Sequence, residues 1–321
     1  MRYVASLRSI PLLCLAVVLV VAPLTAGGAA KLRVGAALPG IITDKAWNQG
    51  GYEGLKLIEK ELGAEIAFTE RVAQPDQVEV MSDYARRGFD LVFGHGGEYD
   101  AAGKAVAARF PRTRVVVNNG TVTGSNLGSL QVNHFQVAFL GGVVAGMMTK
   151  TNKIAAISAQ KFKAIDDGFA GFEAGAKWVN PRIEMFTSYT GNWDDVAKGK
   201  EAAFAHIAKG ADVVFGVLDH AQLGVLEAAR ERNVWAVGYV GDMLGVAPRA
   251  ILTSSIEDIS QAMLVLGRLI ADGKFQGRSY VIGLENPRVA RLGSFGTMVP
   301  QRVKEKVEEA KKKLIAGEIK Q

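Results

Sequence analysis

The sequence predicts an α/β fold in which two doubly wound, parallel-sheet lobes are hinged around a cleft. Three observations predict it. Short β-branched or aromatic strands alternate with amphipathic helices along the whole chain after residue 30. The alternation restarts after residue 133 with a second set of similar length. The chain of 321 residues keeps 291 once an export-type leader is set aside, long for one domain and comfortable for two.

The first set opens with a strand from Leu32 to Leu38 and a helix from Trp47 to Leu62, whose Leu55, Ile58 and Leu62 share a face. Glu65 to Val72, Asp76 to Arg87 and Leu91 to Gly94 repeat strand, helix, strand, and a helix from Ala101 to Arg109 leads to a strand from Arg114 to Asn118. Serial βαβ units imply a parallel sheet with helices on both faces. A further strand, Leu130 to Asn133, ends this set. The second set has strands at Ile154 to Ser158, Ile183 to Tyr189, Asp212 to Val217 and Val234 to Tyr239. Its helices are Phe135 to Met148, Ile165 to Val179, Val196 to Lys209 and Ala221 to Arg230. No long linker separates the sets. The chain is expected to cross between lobes near residue 134, near Ser254 and near Arg278. The first lobe is then 31–133 plus 255–278, and the second 134–254 plus 279–321.

Residues 1–30 read as a secretory signal peptide. Arg2 and Arg8 precede a nearly continuous apolar run from Ile10 to Val21, and small residues follow to Ala30. The run is about a dozen residues, whereas a membrane span needs roughly 20. Cys14, the only cysteine, lies inside the run with no small residue before it, a poor context for lipid attachment. A processed chain therefore has no disulfide, no thiol nucleophile and no cysteine-ligated zinc. Loss of Arg2 and Arg8 lowers the net charge from +6 to +4, which is mild. The densest basic run, Lys311 to Lys313, lies in an amphipathic C-terminal segment and reads as a solvated helix face, not a nucleic-acid patch. A monomer is expected.

In open α/β sheets ligands sit at the carboxyl ends of the strands. After the first strand come Asp44, Trp47, Asn48 and Gln49. Asp44 suits a helix cap. Trp47 offers a flat platform with hydrogen-bonding neighbours. After the third strand comes Gly94-His-Gly-Gly-Glu-Tyr99, in which Gly96 permits close backbone approach. Tyr99 stands where a dinucleotide fingerprint needs glycine. Asn118 closes the fourth strand. In the second set, Gly191-Asn-Trp-Asp-Asp195 opens a helix, with Asp194 or Asp195 as its cap and Trp193 as a second aromatic platform. Asp219 and His220 follow the strand ending at Val217, and Asp242 follows the one ending at Tyr239. An aromatic and an aspartate acceptor from each lobe suit a planar ring with N–H donors.

These residues resemble a known family. Asp44-Lys-Ala-Trp-Asn-Gln49 resembles the first motif of the basic membrane protein family, which includes PnrA-like purine nucleoside receptors of ABC importers. Tyr52-Glu-Gly54, Gly88-Phe-Asp90, Phe139-Leu-Gly-Gly142, Ala145-Gly146, Gly191-Asn-Trp-Asp-Asp195 and Gly210-Ala-Asp-Val213 follow in the family's order. The resemblance implies a type I periplasmic-binding-protein fold, a periplasmic receptor, and a partner permease with its ATPase. It implies ligand contacts at Asp44, Trp47 and Asn48, with Trp47 stacking on a ring, and a ribose contact at Asp242. It implies no cofactor and no metal. Two departures stand out. Ser254-Ser-Ile-Glu257 carries Glu257 where the family has a lysine that resembles a ribose contact, and the 218–222 loop lacks the family's glycines and carries Asp219 and His220. A bare purine base is then as well matched as a nucleoside.

An enzyme fits poorly. His95, His134, His206 and His220 show no metal-ligand spacing, no G-x-S-x-G elbow is present, and Asp194 and Asp195 diverge as sequence neighbours. A sugar receptor of the same fold, or a periplasmic sensor, shares these residue types.

Overall fold

Two six-stranded sheets form, and their inner strands, such as β3 and β8, are apolar and buried along their length. The computed structural model describes Met1, residues 31–44 and residues 46–321. The expected signal peptide otherwise lies outside the described residues. In the first sheet β1 (Arg33–Ala37) is flanked by β2 (Glu65–Thr69) and β3 (Leu91–His95), and β4 (Arg114–Asn118), β5 (Leu127–Val132) and β11 (Ser279–Ile282) extend it, all parallel. In the second, the order is β12 (Ala290–Leu292), β10 (Ile251–Glu257), β9 (Trp235–Val240), β8 (Val213–Val217), β6 (Lys153–Ser158) and β7 (Glu184–Tyr189). Only the β10–β12 pair is antiparallel. Strands covered on both faces read as apolar runs, as Leu91-Val-Phe and Val213-Val-Phe do.

Helices α1 (Trp47–Leu62), α2 (Gln77–Arg86) and α3 (Asp100–Arg109) cover the first sheet together with α8 (Ile259–Ala271), which packs beside α1. The second sheet carries α4 (His134–Met148), α5 (Lys163–Val179), α6 (Val196–Ala208), α7 (Gln222–Glu231) and α9 (Gln301–Ile315). Side-chain caps start several of them. Asn133 accepts from Gln136 N at 3.1 Å, Asp195 from Lys198 N at 3.1 Å, and Asp258 from Gln261 N at 3.1 Å. Of the two aspartates expected to cap α6, Asp195 does so.

Helix α4 is apolar all round and almost wholly buried between the second sheet, α5 and α9. Its contact with α5 is made through glycine. A Cβ at Gly142 would lie 2.0 Å from the Phe172 carbonyl oxygen, and one at Gly175 2.0 Å from that of Phe139. The largest buried cluster runs from Leu55 and Phe93 of the first lobe through Leu130 and Phe135 to Phe172 and Phe215 of the second.

The chain crosses between sheets three times, and the pairing corrects two expected boundaries. The first crossing lies between Val132 and His134. The second follows Glu257, where β10 ends, instead of Ser254. The third follows Ile282, because β11 pairs with β5 in the first sheet; Ser279 to Ile282 therefore leave the expected second-lobe segment and join the first. Strand β12 had no sequence reading: three residues held by one antiparallel neighbour leave no periodicity. No helix among the described residues is long and apolar enough to cross a membrane.

Candidate functional site

The loop after β1 is built around a carboxylate. Asp44 Oδ1 accepts from Ala46 N and Gln49 N, both at 2.9 Å, while Oδ2 accepts from Asn48 N at 2.9 Å and Asn48 Nδ2 at 2.8 Å. Asn48 Oδ1 in turn accepts from Gly40 N at 2.9 Å. A carboxylate has about four acceptor positions, so Asp44 is filled by its own loop. Both side chains are buried. The resemblance implied ligand contacts here; the geometry makes Asp44 and Asn48 the frame that starts α1 and fixes Trp47.

Trp47 is half-buried at the first turn of α1. Its indole stacks on the His95 ring with centroids 4.3 Å apart and planes 18° apart. Trp47 Nε1 donates to the His95 carbonyl at 3.3 Å, and His95 Nε2 faces the Trp47 carbonyl at 2.8 Å. A carbonyl only accepts, so Nε2 carries the proton. Nδ1 then accepts from Asn118 Nδ2 at 2.8 Å. Burial drives the His95 pKa down to about 4, against the weaker opposing pull of the Trp47 carbonyl and Asp44. This neutral histidine ties the ends of β3 and β4 to the platform. Sequence reasoning gave it no role; its place after a buried strand, between glycines, was the available signal. Gly96 takes φ of 148°, a region open to glycine, and is buried in the turn that follows.

In the second lobe, Trp193 is half-buried with its ring 5.9 Å from that of Phe162. Its carbonyl accepts from Ala221 N at 3.0 Å, which joins the 191–195 and 218–222 loops. Asp219, on the second of these, makes no side-chain hydrogen bond among the described residues. Burial raises its pKa well above the usual carboxylate value, and the carboxylates of Asp44, Asp194 and Glu98 add to the rise. Asp219 of the second lobe thus shares one electrostatic neighbourhood with Asp44 and Glu98 of the first. His220 is exposed, with no side-chain hydrogen bond among the described residues.

Glu257 is buried at the end of β10. Its Oε2 accepts from His134 Nδ1 at 2.7 Å and from the Tyr239 hydroxyl at 3.0 Å. His134 Nε2 lies 3.1 Å from Asn119 Oδ1. Sequence reasoning missed His134, Asn119 and Tyr239, because the bond that brings them together, His134 to Glu257, spans 123 residues. Asp242 is exposed and stands apart from these groups. It accepts from Ser294 N at 2.9 Å and Leu244 N at 3.2 Å, bonds that hold its pKa below the usual value despite partial burial. It follows Val240, a β-branched residue at φ 66°, a strained conformation.

Three buried polar atoms near strand ends have no partner among the described residues: Asn118 Oδ1 at the end of β4, Ser158 Oγ at the end of β6 and Gln222 Oε1 at the start of α7, after β8. Such atoms are uncommon in folded proteins and call for an explanation. A separate cavity of about 320 Å³ opens on the crossover side, between Asn133 to Phe135, Lys163 and Asp167; none of the ligand contacts expected from the sequence lines it, but His134 does. No group of three or more potential metal ligands occurs among the described residues.

Comparison with known proteins agrees with this architecture. A transcriptional activator protein, med, of Bacillus subtilis is 29% identical over 86% of this chain and 86% of its own. An ABC transporter nucleoside-binding protein of Lactococcus lactis is 29% identical over 87% and 85%. A purine-binding protein of Brucella abortus is 26% identical over 94% and 87%. Among solved structures, a transcriptional activator of the comK gene from Bacillus halodurans superposes with a TM-score of 0.77 at 28% identity, covering 88% of this chain and 97% of its own. An ABC transporter solute-binding protein from Aeropyrum pernix shares the fold with a TM-score of 0.79 at 20% identity, covering 90% and 92%. The family model for PnrA-like ABC transporter substrate-binding proteins matches residues 31–320, and the chain belongs to that family.

Proposed function

We propose that this chain is the extracytoplasmic receptor of an ABC importer, capturing a purine nucleobase or a nucleoside-like heterocycle between its lobes and delivering it to a permease driven by an ATPase. The observation that carries this reading is the pairing of platforms. Each lobe presents a half-buried tryptophan at a strand end, Trp47 and Trp193, beside polar groups without partners, namely Asn118 Oδ1, Asp219 and Gln222 Oε1. Rings stack on indoles, and amide and carboxyl groups match the N–H and carbonyl edge of a base. The similar proteins of Brucella and Lactococcus are a purine-binding and a nucleoside-binding protein, which supports the same ligand class here. Glu257 puts an acid, already engaged by His134 and Tyr239, where the family resemblance implies a ribose-binding lysine, and this favours the base over the nucleoside. Export with removal of residues 1–30 would deliver the receptor to the periplasm.

A ligand that bridges both lobes favours the closed arrangement over the open one, and the closed form is what a permease distinguishes. The test is titration of the refolded chain with adenine, guanine, hypoxanthine, xanthine, their nucleosides and several sugars, followed by calorimetry and melting temperature. A true ligand stabilises by RT ln(1 + [L]/Kd), about 4 kcal/mol at a thousandfold excess over Kd. Trp47→Ala or Trp193→Ala is expected to weaken binding by about 1–3 kcal/mol per lost stack, with the fold retained. Response to a sugar and to no purine would overturn the ligand class.

A further inference from the structure

We infer that His134, held as an imidazolium between Asn119 and Glu257, is a positioning residue that clasps the two lobes, so that lobe closure weakens as the ring loses its proton.

The placement is the first argument. His134 is the first residue of α4, immediately after the first crossing, and Glu257 is the last of β10, immediately before the second. Asn119 follows β4 in the first lobe, and Tyr239 sits near the end of β9 in the second. One ring therefore links the first two crossing segments and both lobes, with its side chain and that of Glu257 each 4% exposed.

The protonation follows from the partners. Nδ1 faces a carboxylate oxygen at 2.7 Å, and that oxygen already accepts from the Tyr239 hydroxyl. Nε2 faces the amide oxygen of Asn119 at 3.1 Å. Both partners accept, so both ring nitrogens donate, and only the imidazolium has two N–H groups. His95 is the internal contrast: one of its nitrogens faces an acceptor and the other a donor, and it is neutral. Burial opposes the charge on His134, but Glu257 outweighs it and raises the pKa above the ordinary histidine value. The other groups facing the ring are Lys163 and Asp167 of α5, which pair with each other at 2.8 Å and act on it in opposite directions, and the Tyr239 hydroxyl, which burial keeps protonated.

The sign follows from linkage. When the lobes open, Asn119 withdraws and the Nε2–H loses its acceptor, while Glu257, in the same lobe as the ring, stays with Nδ1. The closed arrangement, which alone gives both N–H groups an acceptor, binds the proton more tightly, so raising the pH through the titration of the ring favours opening.

The test uses two ligand-free measurements and one with ligand. Histidine-labelled chain is examined by nitrogen NMR, with His134→Gln assigning the signal. In chain carrying Cys14→Ser, spin labels at Lys104→Cys on α3 and Lys198→Cys on α6 report the interlobe distance against pH. The expected result is a ring protonated on both nitrogens at pH 7 and a distance that lengthens as that ring titrates. In Glu257→Gln and Asn119→Ala, the second a milder change outside the buried pair, the distance should be independent of pH. A neutral ring at pH 7, or the same pH-dependent opening in Asn119→Ala, overturns the clasp. The inference rests on the proposed receptor function only for its third arm, adenine affinity, which should fall in step with the opening. Failure of adenine to bind would refute the ligand and leave the two ligand-free results to decide the clasp. Adenine binding with a pH-independent affinity and distance would refute the clasp and leave the ligand standing.

Discussion

Replacing His95 with glutamine should remove a specific loss of stability in acid. In the folded chain His95 takes up its second ring proton only below about pH 4, against 6.5 for an ordinary histidine. Between those values the unfolded chain carries a proton that the folded chain refuses, so lowering the pH favours unfolding; above 6.5 the effect is absent. Each pH unit of difference corresponds to 1.36 kcal/mol, so the full interval amounts to about 3 kcal/mol. Glutamine keeps the two partners, since its amide can donate to the Trp47 carbonyl and its oxygen can accept from Asn118, and it forfeits the stack on Trp47, worth about 1 kcal/mol. At pH 7 the variant should thus be modestly less stable than the natural chain. By pH 4 it should have regained about 3 kcal/mol relative to it. Urea unfolding of both chains at pH 7, 6, 5 and 4 measures this directly, because titrations of all other groups cancel in the difference. A gap that stays constant to within about 1 kcal/mol across the series would refute the neutral, buried assignment of His95.

Two further outcomes follow from the packing and the charges. Gly175→Ala should destabilise by about 1–3 kcal/mol and lower the melting temperature by several degrees, because its Cβ would meet the Phe139 backbone and force α4 and α5 apart; an unchanged melting curve would mean the two helices separate freely. Asp219→Asn should raise the melting temperature at pH 7, since the raised pKa means that ionisation is disfavoured in the folded chain. That penalty grows as pH climbs from the unfolded value of about 4 toward the folded one, so the gain should vanish near pH 4; a gain independent of pH would point to packing instead of charge.

The layout was legible because it is local. The helix from Trp47 to Leu62 and the strand from Arg114 to Asn118 are found at the bounds their periodicity indicates. So was the restart at residue 134, where a helix that is almost entirely apolar after Gln136 follows a strand. What escaped depends on distant partners. Strand β11 reads the same whichever sheet it joins, and only the free edge of β5 decides. The site divides along the same line. Trp47 and Trp193 stand out as costly residues at strand ends. Asp44 and Asn48 bear the right chemistry, yet their polar groups turn inward to one another, a fact of loop geometry that residue type does not encode. His95 and His134 looked alike in the sequence, and only the identity of the atoms opposite each nitrogen makes one neutral and the other charged.

The late arrival of β11 has a bearing on how the chain assembles. Ile282 pairs with Val132, so the first sheet keeps an open edge until the polypeptide has made all of the second lobe's parallel strands and returned. The second sheet in turn waits for β12. A chain emerging from its N-terminus therefore has no finished half to bank, and its halves must mature together, late and through contacts of long sequence separation. Such contacts make folding slow and leave strand edges exposed in the interim. The three interlaced crossings are in this sense also a schedule, one that leaves the first sheet unfinished until the chain reaches Ile282 and the second until it reaches Leu292.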